Sequence, residues 1–143
     1  MKILIFGLPG SGKTTLAKPF AELINGVHIN ADEVRTTYDD WDFTPEGRMR
    51  QAQRMRHLAD GVVLAGKIAV TDFVCPTEEA RKAFAPDFTV WMDTIQEGRF
   101  EDTNKMFQAP PTCDYHISKW FNNSHEALLP VINRYMGKDY NGL

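Results

Sequence analysis

The chain has 143 residues, 43% of them apolar and 24% charged, with a net charge of −3. Those figures describe one globular domain with a buried core, from residue 1 to 143, and too little chain for two ordinary ones. The acidic balance gives no general attraction to polyanions, so nucleic acid is not favoured as a partner, although a local basic patch would be compatible with it.

Lys2 to Phe6 is a short run rich in isoleucine and leucine and reads as a buried strand. Gly7 stops it, so it is too short for a secretion signal. No later stretch approaches a membrane span, and the expected location is cytoplasmic with no membrane partner. A helix is expected from about Gly12 to Ile24, then a second short strand at Val27 to Ile29. Asn30 is placed to cap a following helical turn. From Thr44 the sequence offers a cap, proline at the first helical position, glutamate in the first turn and a closing glycine at Gly66, which predicts the longest helix. Lys67 to Phe73 and Phe88 to Asp93 read as further buried strands, separated by a helix over roughly Thr77 to Phe84. Asp114 to Ser118 reads as a weaker last strand, and Ser124 to Met136 as a last helix despite Pro130. Strands alternating with helices imply right-handed crossovers and a parallel sheet covered on both faces. Between them, residues 98 to 113 begin with charge and end in APP, a pattern that suits a mobile, lid-like flap. Cys75 and Cys113 form no CxxC pair and give little support to a disulfide or a zinc site.

The joint between the first strand and first helix reads GLPGSGKT and satisfies G-x-x-x-x-G-K-[ST] with Gly7, Gly12, Lys13 and Thr14. Glycines let successive backbone N–H groups turn inward toward phosphate oxygens, and the first turn of the helix adds the positive end of its dipole. The expected triphosphate cradle therefore comprises Gly7, Pro9, Gly10, Ser11, Gly12, Lys13, Thr14 and Thr15. Lys13 would bridge the β- and γ-phosphates and the Thr14 hydroxyl would take a position on Mg²⁺. A GTPase would need a guanine-reading NKxD loop, and NKMF at Asn104 to Phe107 lacks the aspartate. Small chains with this loop are more often kinases that pass phosphate to a second bound molecule, by analogy of fold.

Asp32 and Arg35 follow the second strand, at the carboxyl edge where ligands of open parallel sheets collect. Their spacing places them on one face of a helical turn. The carboxylate could accept a hydroxyl proton while the arginine clamps an anionic acceptor, though a surface ion pair would have the same pattern. Asp72 ends an apolar strand, the position from which a carboxylate reaches a magnesium shell or caps the next turn. Arg48, Arg50, Arg54 and Arg56 crowd the long helix, mostly as a solvated face, with one or two expected to reach the acceptor. Arg81, Arg99 and Lys105 lie in or near the flap, where cations would stabilise the transferring phosphoryl group. Arg99 is expected to contact ATP. His28, His57, His116 and His125 show no metal-ligand spacing, and no chemistry is assigned to them.

With these residues in view, the chain resembles the adenylylsulfate kinases, P-loop kinases that phosphorylate the 3′-hydroxyl of adenosine 5′-phosphosulfate with MgATP. The likeness covers roughly Met1 to Tyr115. GLPGSGKTTLA is similar to the family's phosphate loop, and NADEVR stands where the family has a DGDNVR-like segment. That makes Asp32 similar to the proposed base and Arg35 to a substrate-phosphate contact. FTPEGRMRQAQR resembles FSPEDRxENIRR, which aligns Phe43 with a ring stacked on the acceptor adenine and Arg48 and Gln51 with acceptor-binding residues. VCPTEEAR resembles ISPYREDR and places Val74 and Cys75 at backbone contacts to the acceptor. The resemblance implies a three-layer α/β/α fold with five parallel strands in order 2-3-1-4-5. It also implies a small nucleotide as the acceptor, with a homodimer left open. The chain departs from the family at Glu101, where the lid has an arginine, at Gln51 for asparagine, and in the missing lysine-rich half of the lid. Asp72 replaces the family's serine or alanine and resembles instead the strand-end aspartate of 5′-hydroxyl polynucleotide kinases. Open alternatives are a kinase for a nucleic-acid 5′-hydroxyl or modified nucleotide, and a nucleotide-binding module that has lost its acceptor.

Overall fold

The computed structural model describes residues 1–98 and 100–137. Five strands, β1 (Lys2–Phe6), β2 (Val27–Asn30), β3 (Ala69–Phe73), β4 (Phe88–Met92) and β5 (Tyr115–Ile117), form one sheet in the order β2-β3-β1-β4-β5. Every pairing is parallel. The alternation of side chains along a strand sets the layers. On β1, Ile3 and Ile5 face a core shared with Leu16, Phe20, Leu128 and Ile132. Leu4 and Phe6 face a second core with Ala52, Met55, Ala59 and Phe84. Helices α1 (Lys13–Leu23) and α6 (Ser124–Met136) thus cover one side, and α3 (Pro45–Leu64) and α4 (Glu78–Phe84) the other.

The helix starts follow the capping signals. Asn30 accepts from the Glu33 amide at 3.0 Å and opens α2 (Ala31–Tyr38), and Thr44 accepts from Gly47 ahead of Pro45. The helix interiors defy the propensities. Both α1 and α6 run through a proline, Pro19 and Pro130, because each presents a fully buried apolar stripe whose packing outweighs one missing hydrogen bond. Three strands are shorter than expected: β3 begins at Ala69, since Lys67 still donates its amide back to Val62 at the end of α3, β4 ends at Met92 and β5 spans three residues.

The segment expected as a loose flap is shaped by its own short helix, α5 (Glu101–Met106), and is tied at both ends. Ahead of the helix, the Asn104 side chain accepts from the Gly98 amide at 2.7 Å and donates to the Gly98 carbonyl at 3.2 Å. Behind it, the Gln108 amide donates to Pro76 at 2.7 Å. Among the described residues no helix is long and apolar enough to cross a membrane.

Candidate active site

The phosphate loop spans β1 and α1 at the centre of the sheet's carboxyl edge. Gly7 sits so close to the end of β4 that a side chain there would come within 2.4 Å of the Met92 carbonyl. Gly12, at the start of α1, has φ 97°, and the Trp120 ring lies 3.2 Å from where its Cβ would be, so both backbone and space require glycine. The Ser11 amide closes the turn onto Leu8 at 3.1 Å, and the Ser11 carbonyl accepts from Thr94 Oγ1 at 2.7 Å. α1 opens with no side-chain cap and no acid in its first turn, which suits its amides to an anionic ligand. Lys13 folds over the loop and donates to the Leu8 carbonyl at 3.0 Å.

Beside it lies a polar corner made by three elements. The Thr14 hydroxyl donates to Asp72 Oδ1 at 3.1 Å, and Asn30 Nδ2 donates to the same oxygen at 3.1 Å and to the Thr14 hydroxyl at 3.2 Å. The other Asp72 oxygen is held by His28 Nε2. Asp72 is 2% exposed, so these donors answer the cost of burying a carboxylate. Hydroxyl and carboxylate oxygens are a hard donor set, compatible with a magnesium ion that keeps most of its waters and shares the phosphates.

From the loop a cleft of about 660 Å³ opens toward α2, α3 and α5. Asp32 lines it as an exposed carboxylate. Arg35, buried, donates to the carbonyls of Asp40 and Asp42 at 3.0 and 3.2 Å, and its guanidinium lies 4.4 Å from the Phe43 ring centroid. Arg48 lies 5.2 Å from the same ring, donates to the Phe43 carbonyl at 3.0 Å and reaches across to Thr103 Oγ1 of α5 at 2.9 Å. Burial, with Arg48 next in weight, pushes Arg35 below the ordinary arginine range, while Asp40 and Asp32 oppose the shift. Arg48 is also lowered by burial and supported by Asp102. Both remain guanidinium ions. Two cations thus flank one aromatic ring at the wall of the cleft, which Asp32 and Asp102 also line.

The family described as adenylylsulphate kinase matches residues 1–98. The chain belongs to it. A curated relative from Aeropyrum pernix, named a probable adenylyl-sulfate kinase, is 36% identical over 85 residues, which are 55% of this chain and 46% of that protein. The chain thus spans about half the length of the curated relative it matches. Among solved structures, the Mycobacterium tuberculosis APS kinase in complex with AMPPNP and APS superposes with TM-score 0.76 at 18% identity, over 92% of this chain and 96% of that one. A shikimate kinase from Aquifex aeolicus gives TM-score 0.65 at 16% identity, over 96% and 99%. At these identities the likeness is one of fold, and the fold is the P-loop kinase fold.

Within this adenylylsulphate kinase family member, the sites expected from sequence fall around the cleft. Pro9, Gly10, Gly12, Lys13, Thr14 and Thr15 line it on the loop side, with Asp72 in the corner. Asp32, Arg35, Phe43, Arg48, Gln51, Val74 and Cys75 line it opposite. Gly7 and Ser11 lie behind the loop and shape it from within; the Ser11 hydroxyl is buried without a hydrogen-bond partner among the described residues. Arg99 lies outside the described residues. Gln51 is committed to the fold: its amide donates to the Ala31 carbonyl at 3.0 Å and its carbonyl accepts from Arg54 at 3.2 Å. Cys75 takes a left-handed backbone at φ 44°, and burial pushes its thiol well up, away from reactive ionisation.

Arg81, grouped with the flap cations on sequence, is a buried clamp. It donates to the carbonyls of Cys75, Pro76 and Gln108 at 3.0, 3.3 and 2.6 Å and lies over the rings of Phe6 and Phe107. Lys105 pairs with Glu101 at 3.2 Å on the exposed side of α5. Of the arginines crowding α3, Arg48 reaches the cleft, while Arg50 and Arg54 are ion-paired to Asp40 and Arg56 to Asp60. Sequence reasoning passed over His28, Thr103, Trp41 and Phe100. The last three line the cleft, and no local motif marks them.

Proposed function

We propose that the protein is an ATP-dependent kinase that transfers the γ-phosphate to a hydroxyl of a small nucleotide-like acceptor, with the 3′-hydroxyl of adenosine 5′-phosphosulfate as the first candidate. The observation that carries this reading is that one cleft is lined by the phosphate loop, by the carboxylate of Asp32 and by the guanidinium groups of Arg35 and Arg48. Loop amides and Lys13 bind the triphosphate, with Lys13 exchanging the neutral Leu8 carbonyl for phosphate oxygens. Thr14 and Asp72 would hold magnesium, which when bound neutralises charge on the β- and γ-oxygens. Asp32 accepts the proton of the acceptor hydroxyl as that oxygen bonds to the γ-phosphorus, and the bond from the γ-phosphorus to the β–γ bridging oxygen breaks to release ADP. An anionic acceptor group between Arg35 and Arg48 offsets the cost of their burial and their mutual repulsion, and this is why an anionic nucleotide suits the site better than a neutral sugar. The Arg48–Thr103 bond brings α5 over the acceptor side, where it limits water as a competing acceptor.

The direct test is transfer of label from [γ-³²P]ATP to adenosine 5′-phosphosulfate, to 5′-hydroxyl DNA and to water. Label on the adenylylsulfate that disappears in Asp32→Asn supports the reading. Label on DNA alone would replace the acceptor class. Tight binding of magnesium and ADP with no phosphorylated product from any acceptor would reduce the protein to a nucleotide-binding module.

A further inference from the structure

We propose that His28 is a positioning residue for the cation corner: it fixes the angle at which the Asp72 carboxylate is held beside Thr14, and through it sets the affinity of the nucleotide complex for magnesium. This rests on the reading that Thr14 and Asp72 serve the cation. The placement follows from strand geometry. Asn30 of β2 is the register partner of Asp72 on β3, and His28, two residues earlier, shares its face of the strand. Both side chains therefore converge on the same carboxylate. They divide it between them. Asn30 and Thr14 donate to Oδ1 at 3.1 Å each, and among the described residues the side-chain donor on Oδ2 is His28.

A carboxylate turns easily about its last bond, and a partial turn would carry its oxygen away from the Thr14 hydroxyl. With His28 holding Oδ2, that rotation is blocked, and Oδ1 stays beside the Thr14 hydroxyl, the pair of oxygens that a hydrated magnesium ion would use. Because the acceptor here is a carboxylate, Nε2 must be the nitrogen that carries hydrogen. Removing the ring would do two things at once: leave a carboxylate oxygen of a buried residue without its donor, and let the group rotate away from the Thr14 edge. Nothing in this arrangement needs His28 to touch the nucleotide. It acts through Asp72, as partners of metal-binding groups commonly do.

The test is a thermal-shift titration of Mg²⁺ at fixed saturating ADP, alongside ADP binding in EDTA, for the wild-type chain and three variants. His28→Ala is expected to raise the Mg²⁺ concentration at half-maximal stabilisation about tenfold while leaving ADP binding in EDTA unchanged. His28→Gln, whose amide nitrogen can take the place of Nε2, is expected to restore most of the loss. In an Asp72→Asn background, His28→Ala should add no further shift in the Mg²⁺ midpoint, because the two act as one unit. A histidine that serves only the fold would lower the melting temperature of every state equally and leave the Mg²⁺ midpoint where it was; that outcome, or a glutamine variant no better than alanine, overturns the proposal. Failure of the wild-type chain to bind ADP at all would instead remove the kinase reading, and with it this inference.

Discussion

The phosphate loop makes its site from main chain, whereas the opposite half of the cleft, proposed above for the acceptor, makes its site from side chains that the fold has first to bring together. In the loop, one contiguous stretch supplies the curl, the amides and the lysine, and the sheet edge only presses on it from behind through Met92. Opposite, Arg35 comes from α2, Arg48 from α3 and Thr103 from α5, and each arginine is already bonded to a carbonyl of its own surroundings. A main-chain site leans on few side chains, here the glycines, Lys13 and the Thr14 hydroxyl. A side-chain site is tuned by its neighbours.

Substitutions can break that contrast, and the largest effect is expected at Asp32. Asp32→Asn should lower kcat by about 10² to 10⁴, the usual contribution of a positioned base, with ADP affinity unchanged by calorimetry. An equal loss of ADP affinity would place Asp32 in the donor half. Next, Lys13→Ala should lower kcat by about 10² to 10³ and also weaken ADP binding, since this cation serves ground and transition states alike. Thr103→Val keeps the shape of the side chain and deletes the acceptor for Arg48; a stability loss of about 1 to 3 kcal/mol in urea unfolding is expected, with a raised KM for the acceptor and none for ATP. Should the KM for ATP rise instead, α5 belongs to the donor half.

The smallest effect lies outside both halves. The Arg50 guanidinium, with help from the Asp42 amide and Arg54, holds the Asp40 carboxyl well below the usual carboxylate range. Its folded value lies below its unfolded one, so the stabilisation is present above the unfolded pKa of about 3.9 and is lost as pH falls toward the folded value. Melting curves of Asp40→Asn and wild type should therefore differ at pH 7, begin to draw together below about pH 4, and meet only as the pH falls through the folded value. The gap should also shrink with added salt, because the network sits at the surface.

The same division explains what could be read from the chain. The loop, the buried strands and the caps at Asn30 and Thr44 are local patterns, and each stands where its residues predict. The layers follow from alternation of strand and helix, whereas the sheet order is the one that the family resemblance implies. His28 was passed over because its partner is 44 positions away and meets it only through the β2–β3 register, which no ligand spacing records. The surroundings of Arg81, Phe6 and Phe107, come from β1 and from the chain after α5, so its own stretch of sequence does not show that it is buried. The contacts that join the flap to Pro76 and Arg48 are likewise distant in the chain, and nothing in its own sequence shows them.

The position of Trp120 over Gly12 gives the protein an optical readout of its own. Its indole is 39% exposed and borders the start of α1, Trp41 stands at the mouth of the cleft on the acceptor side, and Trp91 is stacked on His116 away from both. Intrinsic emission should thus change separately with each ligand, and Trp120→Phe or Trp41→Phe would silence one channel and leave the other, so that arrival of donor and acceptor could be timed in a single stopped-flow mixing experiment without an attached dye.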